Sequence, residues 1–358
     1  MFADICTGLI SILTPETIGA VALGIFTGLM FGAIPGISGI MAISILLPLT
    51  FYVSPLVGIP MLLGIYKASM FGGSITAVLL NTPGAPPAVC TAMDGYPLTK
   101  QGKAGKGLNA ALVGSVFGDT FSNILLICVA APLSYLTLKV GPVLLALTVV
   151  GSISGSSILK GILCAGVGIL LATVGVSGTT GAMRFTFENE NLMSGIALIP
   201  MVIGLLCLPE VIHQACSGIR KTFEQQFDLS GENGRLSWQE IKSRIPVLLR
   251  SSIIGSVIGA MPGLGASPAA YMAYSEAQRT SKHPEKFGKG AIEGVMAPEA
   301  ANNAVTGSAM IPLLTLGIPG DDVTAVLMGA FLIQGITPGP NIFFENTTVV
   351  YGIFGSLI

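Results

Sequence analysis

Four short stretches of this 358-residue chain hold residue types on which chemistry could rest, and each interrupts apolar sequence. They are IPGISG (34–39), LLNTPGAPP (79–87), MPGLGASP (261–268) and LTLGIPGDD (314–322). Proline removes a backbone donor and keeps the residue before it out of a helix. Glycine allows conformations that no other residue takes cheaply. A helix unwound this way at membrane depth must turn its freed backbone groups towards a cavity or a polar partner. Free N–H groups and the positive end of a half-helix dipole suit a carboxylate. Unwound carbonyls with Asn, Thr and Asp oxygens suit Na⁺. The candidate anion-binding residues are therefore Pro35, Gly36, Ser38 and Gly39, then Ser74, Asn81, Thr82, Pro83 and Gly84. Pro262, Gly263, Gly265, Ser267, Pro319 and Gly320 complete them, with Lys67 in an apolar run that either snorkels or attracts an anion. Candidate cation ligands are Asn302, Asn303, Thr315, Asp321 and Asp322, although a helix N-cap explains Asp321 equally well. Asp119 and Asn123 lie one turn apart and share a helix face, for packing or for ion coordination.

Other chemistry is poorly provided for. The two histidines, His213 and His283, lie in polar stretches, so no Ser/His dyad or metal cluster assembles at membrane depth. No phosphate-binding loop is present. The six cysteines have no paired or metal-ligand spacing and read as small core residues. These absences argue against an enzyme and imply no cofactor beyond a coupling ion.

The elements that must position these residues are membrane helices. Hydrophobic residues make up 51% and charged residues 10%, too few charges to cover a water-soluble body of this size. Runs such as 17–34, 108–135 and 192–212 reach the ~20 residues that cross a bilayer. A net charge of −1 excludes a basic nucleic-acid footprint. The N-terminus lacks a basic region and a small-residue cleavage site, so it does not read as a cleavable signal peptide.

Basic residues cluster in three places: 100–106, the polar stretch 213–245, and 279–289. Spans at about 108–137, 141–157, 161–177 and 192–212 separate the first two clusters, an even number that leaves both on one side, the cytoplasmic one. The stretch 213–245 reads as a solvated linker with an amphipathic surface helix between two membrane repeats, 1–212 and 246–358. GLMFGAIPGISG (28–39) parallels GSVIGAMPGLGA (255–266), with Pro35 and Pro262 227 residues apart, and Pro83 and Pro319 236 apart. The basic loop of each repeat has no basic counterpart in the other, as opposite membrane orientations require. The fold expected is all-α and polytopic, with inverted repeats and broken helices, the second repeat shorter than the first. The arms beside Pro83, Pro262 and Pro319 read as too short to span, so the breaks at 81–84 and 317–320 read as tips of re-entrant hairpins. Paired broken helices at corresponding positions point to a transporter binding site, whereas glycines that merely allow tight packing would be the plain alternative.

At these motifs the chain resembles the large membrane subunit of the bacterial tripartite tricarboxylate transporters. The resemblance rests on GAIPGISG (32–39), YKASMFGGSITAVLLNTPGAPPAVCTAMDGYPLTKQGKAGKGL (66–108), GAMPGLGASPAAYMAYSEAQ (259–278) and FGKGAIEGVMAPEAANNAVTGSAMIPLLTLGIPGD (287–321). It implies a multi-pass permease of the bacterial inner membrane, driven by a Na⁺ or H⁺ gradient, that imports carboxylates such as citrate. It also implies a periplasmic substrate-binding protein and a small membrane subunit as partners. A family second half normally continues past the point where this one stops, which keeps open a non-transporting receptor or scaffold, or an inactive truncated permease.

Overall fold

The computed structural model describes residues 2–34, 37–140, 158–176, 182–196, 200–201, 204–205, 212 and 234–357. Pro35, Gly36, the span expected at 141–157, most of that at 192–212 and residues 213–233 lie outside the described residues. Helices dominate, and one antiparallel pairing of two-residue strands, Gly175–Val176 with Met183–Arg184, stands beside them. Three of the described helices are long and apolar enough to cross a membrane. The chain is an all-α polytopic membrane protein.

The N-terminal part runs through α1 (Phe2–Ser11), α2 (Pro15–Ala33), α3 (Gly39–Leu46), α4 (Pro55–Leu80), α5 (Ala88–Lys100), α6 (Ala104–Val140) and α7 (Ile158–Ala172). The C-terminal part holds α8 (Trp238–Gly259), α9 (Ala266–Thr280), α10 (Ile292–Ser308), α11 (Met310–Leu316), α12 (Asp322–Ile333), α13 (Ile342–Glu345) and α14 (Thr347–Ser356). Glycine sets how closely helices approach. Gly24, Gly28 and Gly32, four residues apart on α2, lie against α4, where added Cβ atoms would meet the carbonyls of Met61, Ile65 and Ser69 at 2.1–2.5 Å. Gly114 and Gly118 on α6, and Gly255 and Gly259 on α8, bring those helices equally close to α10. The largest buried cluster joins α3, α4 and α11–α14, with Tyr66, Phe331 and Phe354 fully enclosed.

The two repeats share a register. Ser38 and Gly265, 227 residues apart, are the N-caps of α3 and α9. Asn81 and Gly317, 236 apart, both adopt the left-handed conformation that ends a helix. Beyond them the N–H groups of Thr82 and Ile318 return to the carbonyls of Thr76 and Pro312, each at 3.3 Å, as in a Schellman closure. Contacts at the two ends set the end of a helix in each part against the start of one in the other. The Gln334 amide after α12 donates to the carbonyls of Thr50 and Val53 ahead of α4. At the other end Gln101 after α5 donates to Lys289 O, 2.8 Å, ahead of α10.

Three expectations need correction. The arms are not uniformly short: α4 has 26 residues and α8 has 22, so α8 includes Trp238–Ile245 of the expected linker. Nor do the breaks form simple hairpin tips. After Leu80 the chain doubles back until Gly84 N–H reaches Gly73 O, 3.1 Å, and α5 then runs on beside α4, with Thr99 Oγ1 donating to Val78 O, 2.8 Å. Finally, Cys128 and Cys164 are exposed on helix surfaces rather than packed in a core, while Cys90 is buried.

Candidate functional site: a cavity at the helix breaks

All four breaks line one cavity of about 550 Å³. The first contributes Ser38 and Gly39, the second Gly84–Pro87, the third Gly263–Ser267, and the fourth Pro319, Asp321 and Asp322. Gly84 is there because nothing larger fits: an added Cβ would stand 2.2 Å from Gly32 O and 2.8 Å from Gly73 Cα. Gly320 packs in the same way, its would-be Cβ 2.7 Å from Ala309 Cα, and its carbonyl accepts from Gly263 N–H, 2.8 Å. Backbone therefore binds the third break to the fourth.

The helix N-termini at the cavity differ in how much of their donor capacity is spent. At α3, Ser38 Oγ accepts from Met41 N–H, 3.3 Å. At α12, Asp321 completes a capping box: its Oδ1 accepts from Thr324 N–H, 2.8 Å, and Oγ1, 2.7 Å. Tyr66 of α4 donates to the other oxygen of Asp321. The α12 terminus is thus already met by a carboxylate of its own. At α9, Gly265 has φ +69° and no side chain caps the first turn, leaving its N–H groups as the uncommitted positive end. Asp322 is exposed and, like Asp321, lines the cavity. The described lining residues include no Lys, Arg or His.

Several sequence candidates lie elsewhere. Asn81, Thr82, Pro83, Pro262 and Gly320 belong to the breaks without lining the cavity. Lys67 forms an ion pair with Asp119 and donates to Asn123 Oδ1, 2.9 Å, while Thr306 Oγ1 donates to Asp119, 2.9 Å. Asp119 and Asn123 do share a face, and that face holds Lys67. Ser74 is fully buried and donates to Glu299. Thr315 donates to Ile311 O, 2.7 Å, within its own helix, and the Asn303 amide donates to Ser115 Oγ, 2.9 Å, and Glu299 O, 3.1 Å. Asn302, 1% exposed, has no partner for either amide atom. Tyr66, Thr91 and Ser115 were not legible as site residues. Nothing in their types or spacing sets them apart from ordinary helix residues.

Away from the cavity, one end of the molecule gathers the basic segments. Lys106 pairs with Glu240 in the polar first turn of α8, Arg244 with Glu293, 2.8 Å, and Leu236 N–H donates to Asn109 Oδ1, 3.1 Å. The Lys106 ammonium, with help from Ser237 N–H, holds the Glu240 carboxyl down at about 2.

An all-α membrane protein whose paired helix breaks converge on a small-molecule-sized cavity is, by architecture, a transporter component. Residues 18–358 match the family described as the tripartite tricarboxylate transporter TctA family, and the chain belongs to it. It is 38% identical over 369 aligned positions to an uncharacterised 52.8 kDa protein in the TAR-I ttuC′ 3′ region of Agrobacterium vitis, covering 100% of this chain and 72% of that one. A second Agrobacterium vitis protein, uncharacterised and in the TAR-II ttuC′ 3′ region, is 48% identical over 103 residues, 29% of this chain and 43% of that one. No solved structure matches the chain.

Proposed function

We propose that this chain is the large permease subunit of a binding-protein-dependent secondary transporter of the bacterial inner membrane, importing di- or tricarboxylates with a cation. The observation that carries the reading is the convergence of all four breaks on one cavity of about 550 Å³, within the usual range for small-ligand sites. A carboxylate would be met by the uncapped N-terminus of α9 at Gly265–Ser267 and by Ser38 and Gly39 at α3. An unpaired ion in low dielectric costs several kcal/mol or more. Asp321 and Asp322 add negative charge to a cavity whose described lining residues include no basic side chain, so an anionic substrate would enter together with cations. Those two carboxylates are the groups through which a cation would share the cavity. The same charge balance favours one rival reading, a cationic substrate.

The partners are a periplasmic substrate-binding protein and a small membrane subunit, as the tripartite family organisation suggests. The test is uptake into proteoliposomes by the three subunits together, over a panel of di- and tricarboxylates and organic cations. Carboxylate accumulation that needs both the binding protein and an inward Na⁺ or H⁺ gradient is the expected result. Gradient-independent uptake, or accumulation of cations alone, would overturn the reading.

A further inference from the structure

Among the described carboxyl groups Asp94, Asp321 and Glu299 are buried and Asp119 is half-buried, and three of these four have an evident source of positive charge. Asp119 has Lys67. Asp94 accepts from Gly290 and Ala291 N–H, 2.8 Å each, at the start of α10, and from Tyr274. Asp321 caps α12. Glu299 has none of these. It sits in the middle of α10, fully buried, where the helix dipole offers nothing. Its contacts are three hydroxyls: Ser74 of α4 and Thr91 of α5 donate to Oε1, and Ser115 of α6 donates to Oε2, 2.8 Å. Hydroxyl donors soften a buried charge without neutralising it.

A second observation lies one helical turn away on α10. Asn302 lies three residues on, one turn along the same side of α10, and both its amide atoms are buried without a partner. A buried amide left unsatisfied is destabilising by itself, and a ligand would relieve that. A proton on Glu299 would remove the charge and still leave Asn302 unpaired. A cation would balance the charge and also give Asn302 Oδ1 a partner.

We propose that Glu299, Ser74, Thr91, Ser115 and Asn302 form a binding site for a monovalent cation, Na⁺. The donor set is oxygen throughout, as hard cations require. Each hydroxyl retains lone-pair capacity after giving its proton to the carboxylate. One carboxylate matches one positive charge, so a divalent ion would leave the buried site charged. Among the described residues there is no cluster of three or more His, Cys, Asp or Glu, which argues against a transition metal.

The site is built from both repeats, α4 and α5 against α10, and it adjoins the cavity. Ser74 follows Gly73, whose carbonyl holds Gly84, a cavity-lining residue. Binding of Na⁺ would hold α4 and α5 to α10 and so fix the second break in its observed position. As a coupling site this rests on the transporter reading above; as a binding site it does not.

The experiment uses the purified full chain with Na⁺ alone as probe. Thermal unfolding in NaCl, KCl and choline chloride at one ionic strength is paired with equilibrium binding of radioactive Na⁺. Wild-type protein gains melting temperature in NaCl only. Glu299→Gln loses that gain and binds Na⁺ at least about tenfold more weakly, and Asn302→Ala and Thr91→Val weaken binding while melting cooperatively. Wild-type affinity in Glu299→Gln, equal stabilisation by all three salts, or stabilisation that follows pH and ignores Na⁺ would each overturn the site. Should Glu299→Gln fail to fold, unchanged Na⁺ binding by both Asn302→Ala and Thr91→Val is the overturning result. A wild-type complex that binds Na⁺ through Glu299 yet transports nothing would refute the transporter reading and leave the site standing.

Discussion

Lys67 illustrates what a single residue in an apolar run can mean. Sequence allows a snorkelling lysine or an anion trap, and the structure gives it a third role, as counter-ion to Asp119 with Asn123 alongside. Both charged side chains are largely enclosed, 17% and 23% exposed, so removal of one strands the other. Lys67→Met should therefore destabilise the protein by about 3–5 kcal/mol, read as denaturant or thermal unfolding in detergent. The double variant Lys67→Met with Asp119→Asn should recover most of that loss. If Lys67 only attracted substrate, the single variant would keep its stability and lose uptake. Asp119 was legible as a partner only in part, because its spacing to Asn123 marks a helix face but not what the face meets.

At the scale of elements, the breaks were readable and the lengths of their arms were not. Gly and Pro together, as at Asn81–Gly84 and Gly317–Gly320, do end helices, and the left-handed residues Asn81 and Gly317 close them. Proline alone did not. Pro60, Pro97, Pro246 and Pro298 all lie inside helices, and drawing the polar linker as far as residue 245 is what made α8 look short. Neighbouring helices satisfy the freed carbonyls, which leaves an isolated proline in a membrane bundle ambiguous. The breaks also differ in how substitution can probe them. Gly84→Val would drive side-chain atoms into Gly32 O and Gly73, so it tests packing and should prevent assembly. Gly265 has open space around a would-be Cβ and only its positive φ to oppose alanine, about 1–3 kcal/mol. Gly265→Ala should insert and melt cooperatively, yet lose carboxylate affinity, because its methyl would stand before the α9 N–H groups. Normal carboxylate binding by Gly265→Ala would remove α9 from the site.

Over the whole molecule, the pattern of basic residues and the pattern of contacts constrain each other. The contacts Lys106–Glu240, Gln101–Lys289 and Arg244–Glu293 bring the described parts of all three basic segments to one end of the bundle. The Gln334 contacts to Thr50 and Val53 gather the other end, which carries no Lys or Arg between residues 46 and 56 or between 330 and 345. Positive residues collect on the cytoplasmic face as a rule, and on that rule we propose that the Thr50–Val53 end lies outside. Loop charge suggests repeats in opposite senses without any knowledge of packing, because the rule acts on the loops alone. Tyr52 is 86% exposed at that outer end. In a background without native cysteines, a membrane-impermeant thiol reagent added to intact cells should label Tyr52→Cys. It should miss Lys103→Cys and Lys282→Cys until the membrane is opened. Labelling of both lysine positions in intact cells would invert the orientation, and labelling of only one of them would break the grouping of the basic segments, which the hydrogen bonds across α5, α8 and α10 require.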